Sequence, residues 1–183
     1  QISGYYDPIP TPDSPTGWVY LVAGNFARTD PLVLYRVAPE AFTDRSRWQG
    51  WADDGGWGQT PTPLWPDRIG EMSIKEIDGK AVLSYFNAST GNMEIRVAAH
   101  PTALGTAPVT TVVQHTDWPA WPEPVETLPA ATDNRLAQPY GGYISPGSTI
   151  DEVRVFVSQW NTSPRDRAPY RVIQFAVNPF KPW

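Results

Sequence analysis

Short apolar runs, separated by polar and turn-forming residues, follow one another along this chain. Val19–Ala23, Leu32–Val37, Met72–Ile77, Ala81–Tyr85, Met93–Ala98, Val109–Val113, Val153–Gln159 and Arg171–Val177 are rich in β-branched and aromatic residues, the composition of strands. Helical periodicity is nearly absent, with one short turn expected near Pro39–Asp44. Asp78-Gly79 and Thr90-Gly91-Asn92 fall between apolar runs, where they read as hairpin turns. The pattern also recurs. Gly17–Phe42, Gly79–Leu104 and Glu152–Phe180 each hold a strand, a polar turn and a second strand, and Asn25, Asn87 and Asn161 close the first strand of each copy. A repeat of this length built from antiparallel strands predicts an all-β chain of the β-propeller type.

The second unit is the clearest. Ile69–Ile77 reads as its inner strand, followed by Lys80–Asn87, Asn92–Ala98 and Ala107–His115. The first runs from Ile2–Tyr6 through the Val19 and Leu32 strands to Trp48–Trp51, and the third from Tyr140–Ile144 through the Val153 and Arg171 strands. The blade-like units, about 1–54, 67–116 and 133–181, form one propeller portion of about three blades. Closed propellers have roughly four to eight, and a stack of three leaves open edges. The remaining blades are therefore expected from an N-terminal region or a second chain. Gly55–Pro66 and Trp118–Ala131 read as long, Pro-rich, Trp-bearing loops, a length that in compact domains often marks function.

Composition narrows the functional classes. The chain has 183 residues, 40% of them hydrophobic, with a net charge of −5. That balance argues against a nucleic-acid partner, which needs a basic face, and against docking on an anionic membrane. No apolar run approaches the roughly 20 residues of a membrane-inserted helix. With no cysteine there is no disulfide, thiolate metal site or cysteine nucleophile. His100 and His115 are the only histidines, which leaves little for a His-rich metal site or a Ser-His-Asp triad. The chain opens at Gln1 without a signal peptide, as expected of a processed or excised piece.

Hydrolysis of a glycosidic bond uses two carboxyl groups, a proton donor and a base or nucleophile. Glu71, at the start of the best-defined inner strand and beside Gly70, is the leading candidate; the alternative is an exposed carboxylate at a strand start. Gln138-Pro139-Tyr140-Gly141-Gly142-Tyr143 could form a sugar-binding wall or a strand bend with packed tyrosines. With 9 tryptophans in the chain, Trp57 and Trp65 from the first long loop are candidate stacking platforms, the alternative being core packing. Asn87 and Asn161 match the glycosylation sequon, but their repeated place at a strand end fits a turn-capping hydrogen bond better. Asp53-Asp54-Gly55-Gly56 falls short of a calcium motif, so no metal or cofactor is expected. Tyr5-Tyr6-Asp7-Pro8 adds one more carboxylate, in a turn.

Several segments carry a family resemblance. Gly70-Glu71-Met72-Ser73-Ile74, the run from Leu83 to Met93, the run from Pro139 to Ser148, and Val157-Ser158-Gln159-Trp160-Asn161-Thr162 followed by Pro169-Tyr170-Arg171-Val172 resemble the C-terminal half of an actinobacterial family, domain of unknown function 4185. That family includes endo-D-arabinanases, placed in glycoside hydrolase family 183, from mycobacteria, related actinobacteria and their phages. The likeness runs from about Gly17 to Pro179. It implies a five-bladed propeller that cuts internal α-linkages of D-arabinan in mycobacterial arabinogalactan and lipoarabinomannan. The protein would then be secreted or envelope-associated, or phage-encoded. The family carries further N-terminal blades and an acidic residue in a Gly-Asp motif, and nothing in this sequence matches that region. On this reading Glu71 is a catalytic carboxylate, the general acid, and Gln138, Tyr140, Tyr143 and Asn87 line the groove for D-arabinan with Trp57 or Trp65. The rival readings are a non-catalytic glycan-binding propeller and a structural or assembly module of an envelope or phage complex.

Overall fold

The computed structural model describes residues 1–116, 120, 134–160 and 170–181. Their regular structure is almost entirely strand, arranged as three sheets. In the first, β1 (Ile2–Asp7), β2 (Trp18–Ala23), β3 (Val33–Val37), β4 (Gln49–Ala52) and β5 (Gly56–Gln59) pair antiparallel in chain order. The middle sheet repeats this with β6 (Ile69–Ile77), β7 (Lys80–Asn87), β8 (Met93–Ala98) and β9 (Val109–His115). Its outer edge is closed by β10 (Arg135–Leu136), which lies parallel to β9. The third sheet holds β11 (Pro139–Ile144), β12 (Val153–Trp160) and β13 (Tyr170–Val177).

The middle sheet is covered on both faces, and β7 shows why the sequence reads as it does. Residues 81 to 87 are all buried, so its polar positions are scarce. Successive side chains point to opposite faces of a strand. Ala81, Leu83 and Tyr85 accordingly pack with Val22, Leu34, Leu64 and Trp65 on the first-sheet side. Val82 and Phe86 pack with Ile144, Val155, Val157 and Phe175 of the third sheet. The β6–β7 hairpin turns at Asp78 (φ 51°) and Gly79 (φ 74°), the paired positive φ values of a type I′ turn.

The first strands of the three sheets lie side by side. The Ser3 hydroxyl accepts from the Ile74 N–H (3.0 Å), joining β1 to β6. The Ser73 hydroxyl accepts from the Ile144 N–H (3.2 Å), joining β6 to β11. A serine hydroxyl reaches only a backbone group of a neighbouring strand, so these bonds fix the spacing of the sheets at their common edge.

The structure departs from the sequence reading in two places. The stretch read as a loop from Gly55 contains β5, because Gly50, Trp51 and Ala52 find antiparallel partners in Gln59, Trp57 and Gly56. Pro101–Thr106 forms a 3-10 turn after His100, whose ring accepts from the Thr102 N–H. A proline at the first turn position lacks only an N–H that would be unpaired there anyway. The expected turn near Pro39 is present as a 3-10 turn over Pro39–Ala41. Asn161 and, apart from Ala120, the Trp118–Ala131 linker lie outside the described residues.

Candidate functional site

One end of the stack gathers most of the candidates. In register, Ile2 is level with Ala23, Ile69 with Asn87 and Pro139 with Gln159. The starts of β1, β6 and β11 therefore share an end with the β2–β3 and β7–β8 turns. Both β6 and β11 bulge here, between Ile69 and Met72 and between Tyr140 and Tyr143. A bulge re-aims the side chains beside it.

Glu71 sits in the β6 bulge and is ion-paired to Arg28 from the β2–β3 turn. Arg28 Nε and Nη2 donate to Glu71 Oε1 at 3.1 and 2.5 Å. The two side chains keep 29% and 26% of their exposure, so the pair borders solvent. Oε2 is buried and has no hydrogen-bond partner. Gly70 makes room for this arrangement: a Cβ there would lie 2.9 Å from Phe86 Cδ1 and 3.1 Å from Arg28 Cδ. The guanidinium carbon lies 5.1 Å from the Phe86 ring centre and 6.0 Å from that of Tyr140.

From Tyr140 an aromatic row runs outward. Tyr140 and Tyr170 have ring centres 6.2 Å apart, and Tyr170 and Trp160 are 5.0 Å apart. Tyr170 and Trp160 remain about half exposed. Partial loss of hydration, with the Tyr140 phenol beside it, pushes the Tyr170 hydroxyl above its usual ionisation range. The row offers flat, apolar faces with polar tips, the surface that packs against a sugar ring while hydrogen-bonding its hydroxyls.

A second cluster lies behind the β7–β8 turn. The Asn87 side-chain amide donates to Asp67 Oδ2 and Glu94 Oε2, both at 3.0 Å. Its carbonyl oxygen caps the turn, accepting from the Ser89 N–H at 2.9 Å. Asn25 does the same for Thr29 in the first sheet (3.1 Å). Asn87 is 2% exposed and Glu94 5%, so one amide holds two carboxylates in a fixed, largely buried setting. Among the described residues no group of three or more His, Asp or Glu side chains is placed to hold a metal ion.

The other expected site residues are dispersed. Gln138 is buried, with φ 51°, and its carbonyl receives the Trp160 N–H. Tyr143 is exposed but lies over Lys75, with the ammonium 5.4 Å from its ring centre. Trp57 belongs to β5 and packs against Trp51 and Tyr20 beneath Arg36. Trp65 is 6% exposed, wedged between Tyr85 (5.2 Å) and the Arg96 guanidinium (4.3 Å). Neither of these two tryptophans borders Glu71. Asn87 was expected in the groove and is instead buried, and its partners Asp67 and Glu94, like Arg28, Trp160 and Tyr170, were not singled out from sequence. Arg28 lies 43 residues from its partner, a separation at which no local pattern signals a pair. Trp160 and Tyr170 did carry a signal, since they end the first and begin the second strand of the third repeat.

These observations define a class first: an all-β chain of antiparallel meander sheets with an arginine-clamped carboxylate and an aromatic row at one end. Comparison with known proteins supplies the family. Residues 9–176 match the model of Domain of unknown function (DUF4185), and the chain belongs to that family. It is 70% identical over its whole length to an "Uncharacterized 35.9 kDa protein in asd 3'region" of Mycolicibacterium smegmatis, covering 54% of that protein. It is 33% identical, over 83% of its length, to Notoamide biosynthesis cluster protein J' of Aspergillus versicolor, covering 39% of that protein. A solved Bacteroides ovatus structure described as a "putative hydrolase" shares the fold, with TM-score 0.52, 16% identity, 95% of this chain and 43% of that one covered. The chain spans about half the length, or less, of the curated relatives it matches.

Proposed function

We propose that this chain is part of a glycoside hydrolase of the endo-D-arabinanase kind, with Glu71 in its active groove. The observation that carries the reading is the state of Glu71. One carboxylate oxygen is clamped by Arg28 and the other is buried without a partner. A buried, unsatisfied oxygen of this sort is costly, and rotation of the carboxylate toward the solvent-bordering edge of the pair would bring it to a substrate hydroxyl, an attacking water or an anomeric carbon. The aromatic row from Tyr140 to Trp160 then forms the adjoining wall of the groove. The family membership and the hydrolase description of the Bacteroides ovatus fold relative point the same way.

A carboxylate that accepts two N–H bonds from a guanidinium offers oxygen lone pairs to its surroundings. This suits Glu71 to the part of base or nucleophile rather than that of the proton donor expected from sequence. As base it takes a proton from water while the water oxygen bonds to the anomeric carbon. As nucleophile it bonds to that carbon itself. In either case the glycosidic C–O bond breaks and the leaving oxygen takes a proton from a second carboxyl group. We place that second group in a partner region, since the relatives are long enough to supply one. The side-by-side β1, β6 and β11 would serve as the inner strands of a propeller, with the partner region supplying the remaining blades. D-arabinan is an envelope polymer, so the working place is outside the cell or in the envelope.

The test is incubation of the complete protein with purified mycobacterial arabinogalactan, followed by product chromatography. Release of arabino-oligosaccharides by the complete protein, abolished in Glu71→Gln, is the expected result. Release unchanged in the variant removes Glu71 from the mechanism. No release from the well-folded complete protein removes the hydrolase reading.

A further inference from the structure

At the opposite end of the stack, between the first and middle sheets, a cavity of about 240 Å³ is lined by Tyr5, Asp7, Glu76, Lys80 and His100 with Pro8, Ile9 and Ala81. Glu76 is five residues along β6 from Glu71, a separation of about 17 Å at strand spacing, so this is not an extension of the arginine-clamped groove.

Its polar groups are held in place with capacity to spare. Asp7 Oδ1 accepts from the Ile9 N–H (3.0 Å) and Glu76 Oε1 from the Gly79 N–H (2.5 Å). Among the described residues the second oxygen of each has no hydrogen bond, and neither does the Lys80 ammonium. The Tyr5 hydroxyl is also without a partner there, although burial, with Tyr20, Asp7 and Glu76 nearby, pushes its ionisation well above the ordinary phenol range. Tyr5 is half-buried and lines the cavity, so its hydroxyl can donate to an occupant. His100 forms a fixed wall, with Nε2 3.0 Å from the Tyr20 hydroxyl and Nδ1 2.8 Å from Thr102 Oγ1.

This mixture selects a ligand class. Two carboxylates disfavour an anion, and the lysine among them disfavours a metal ion. Spare acceptors on Asp7 and Glu76, spare donors on Lys80 and Tyr5, and apolar surface from Ala81 and the exposed Pro8 and Ile9 match a neutral ring bearing several hydroxyls. The volume is below the roughly 300–1,000 Å³ of sites for drug-sized ligands, which limits the occupant to a small one. We propose that this cavity is a second carbohydrate site, taking a single sugar unit of a glycan at the end of the molecule remote from Glu71. The choice of sugar rests on the glycan reading of the first site; the need for a neutral polyhydroxylated ligand does not.

The test is saturation-transfer NMR and calorimetry on the complete protein with methyl D-arabinofuranoside and short D-arabinan oligosaccharides. It is run on wild type, Tyr5→Phe, Lys80→Met and Glu71→Gln, each first shown to melt cooperatively. The expected result is binding weakened at least fivefold in both Tyr5→Phe and Lys80→Met, and a component untouched by Glu71→Gln. Absence of binding, or binding insensitive to Tyr5→Phe and Lys80→Met, overturns the second site. Binding lost only in Glu71→Gln overturns it while leaving the first site standing. If arabinan is not hydrolysed but the cavity variants still lose binding, the catalytic reading fails and this one holds.

Discussion

Replacing Arg96 with methionine tests what holds the Pro101–Thr106 turn against the middle sheet. Arg96 is 8% exposed. Its Nη1 donates to the carbonyls of Leu104, Gly105 and Ala107 at 3.2, 3.0 and 2.9 Å, and its Nε donates to the Tyr85 hydroxyl at 3.1 Å. The guanidinium also covers Trp65. Methionine fills most of the stem volume but leaves the three carbonyls and the phenol without that donor. A buried acceptor stripped of its partner costs about 1–3 kcal/mol, and the lost cation–π contact adds about 1 kcal/mol. The Gly105 and Ala107 carbonyls lie in half-buried residues and regain some water, and the variant no longer buries a charge. The net loss should be about 3 kcal/mol, at the lower end of the cost of breaking a buried charged network. Urea unfolding followed by tryptophan fluorescence reads this directly. With a slope of about 2 kcal/mol per M, the midpoint falls by about 1.5 M. Arg96→Lys should lie between, because a single ammonium cannot span the same set of acceptors. A midpoint shift below about 0.5 M for Arg96→Met would mean that water already serves these carbonyls and that Arg96 does not anchor the turn to the sheet.

Arg28→Ala should change stability by less than about 1 kcal/mol, since the Glu71 pair borders solvent. On the proposed reading it should nonetheless lower arabinan turnover more than tenfold, and equal turnover would detach Arg28 from the site. Gly105→Ala would drive a Cβ into the Leu64 carbonyl oxygen; backbone cannot yield cheaply there, so a loss above about 2 kcal/mol in urea unfolding is expected. Burial depresses the His100 pKa below the ordinary 6.5. Its contribution is therefore present above pH 6.5 and lost as pH falls through the folded-state value. Stability of His100→Gln should accordingly decline less than wild type between about pH 7 and 5. Burial raises the Tyr5, Tyr20 and Tyr85 hydroxyls, so their contribution is complete below pH 10 and lost as pH rises. An alkaline absorbance titration should show these phenols ionising only with unfolding, and ionisation at an ordinary pH in the folded protein would contradict their burial.

What the sequence disclosed, and what it hid, follow from distance along the chain. The β6–β7 hairpin was legible because Asp78-Gly79 can adopt a turn closed to most residue pairs, and β7 because a strand buried on both faces leaves an unbroken apolar run. β5 was hidden: Gly56, Trp57, Gly58 and Gln59 have no alternating pattern, and only pairing with β4 makes them a strand. The Asn87 turn was readable because its cap spans two residues. Its grip on Asp67 and Glu94 was not, and neither was Arg28 on Glu71, since each requires two strands or turns to be placed first. Trp65 shows the limit of composition. A tryptophan in a proline-rich stretch can meet solvent or core, and the buried Arg96 that decides the matter lies 31 positions later in the chain.

The short parallel strand β10 bears on how the molecule comes apart. Leu136 is aligned with His115 at the outer edge of the middle sheet, and the Thr116 N–H bonds to its carbonyl at 2.9 Å. Three residues later the same chain enters β11. Any opening of the third sheet must therefore pull on the last strand of the middle one. The two should exchange their amide hydrogens as one cooperative unit. The latch also occupies a strand edge that would otherwise be open to another chain. A mechanical load applied beyond β11 would thus be shared across two sheets before either gave way.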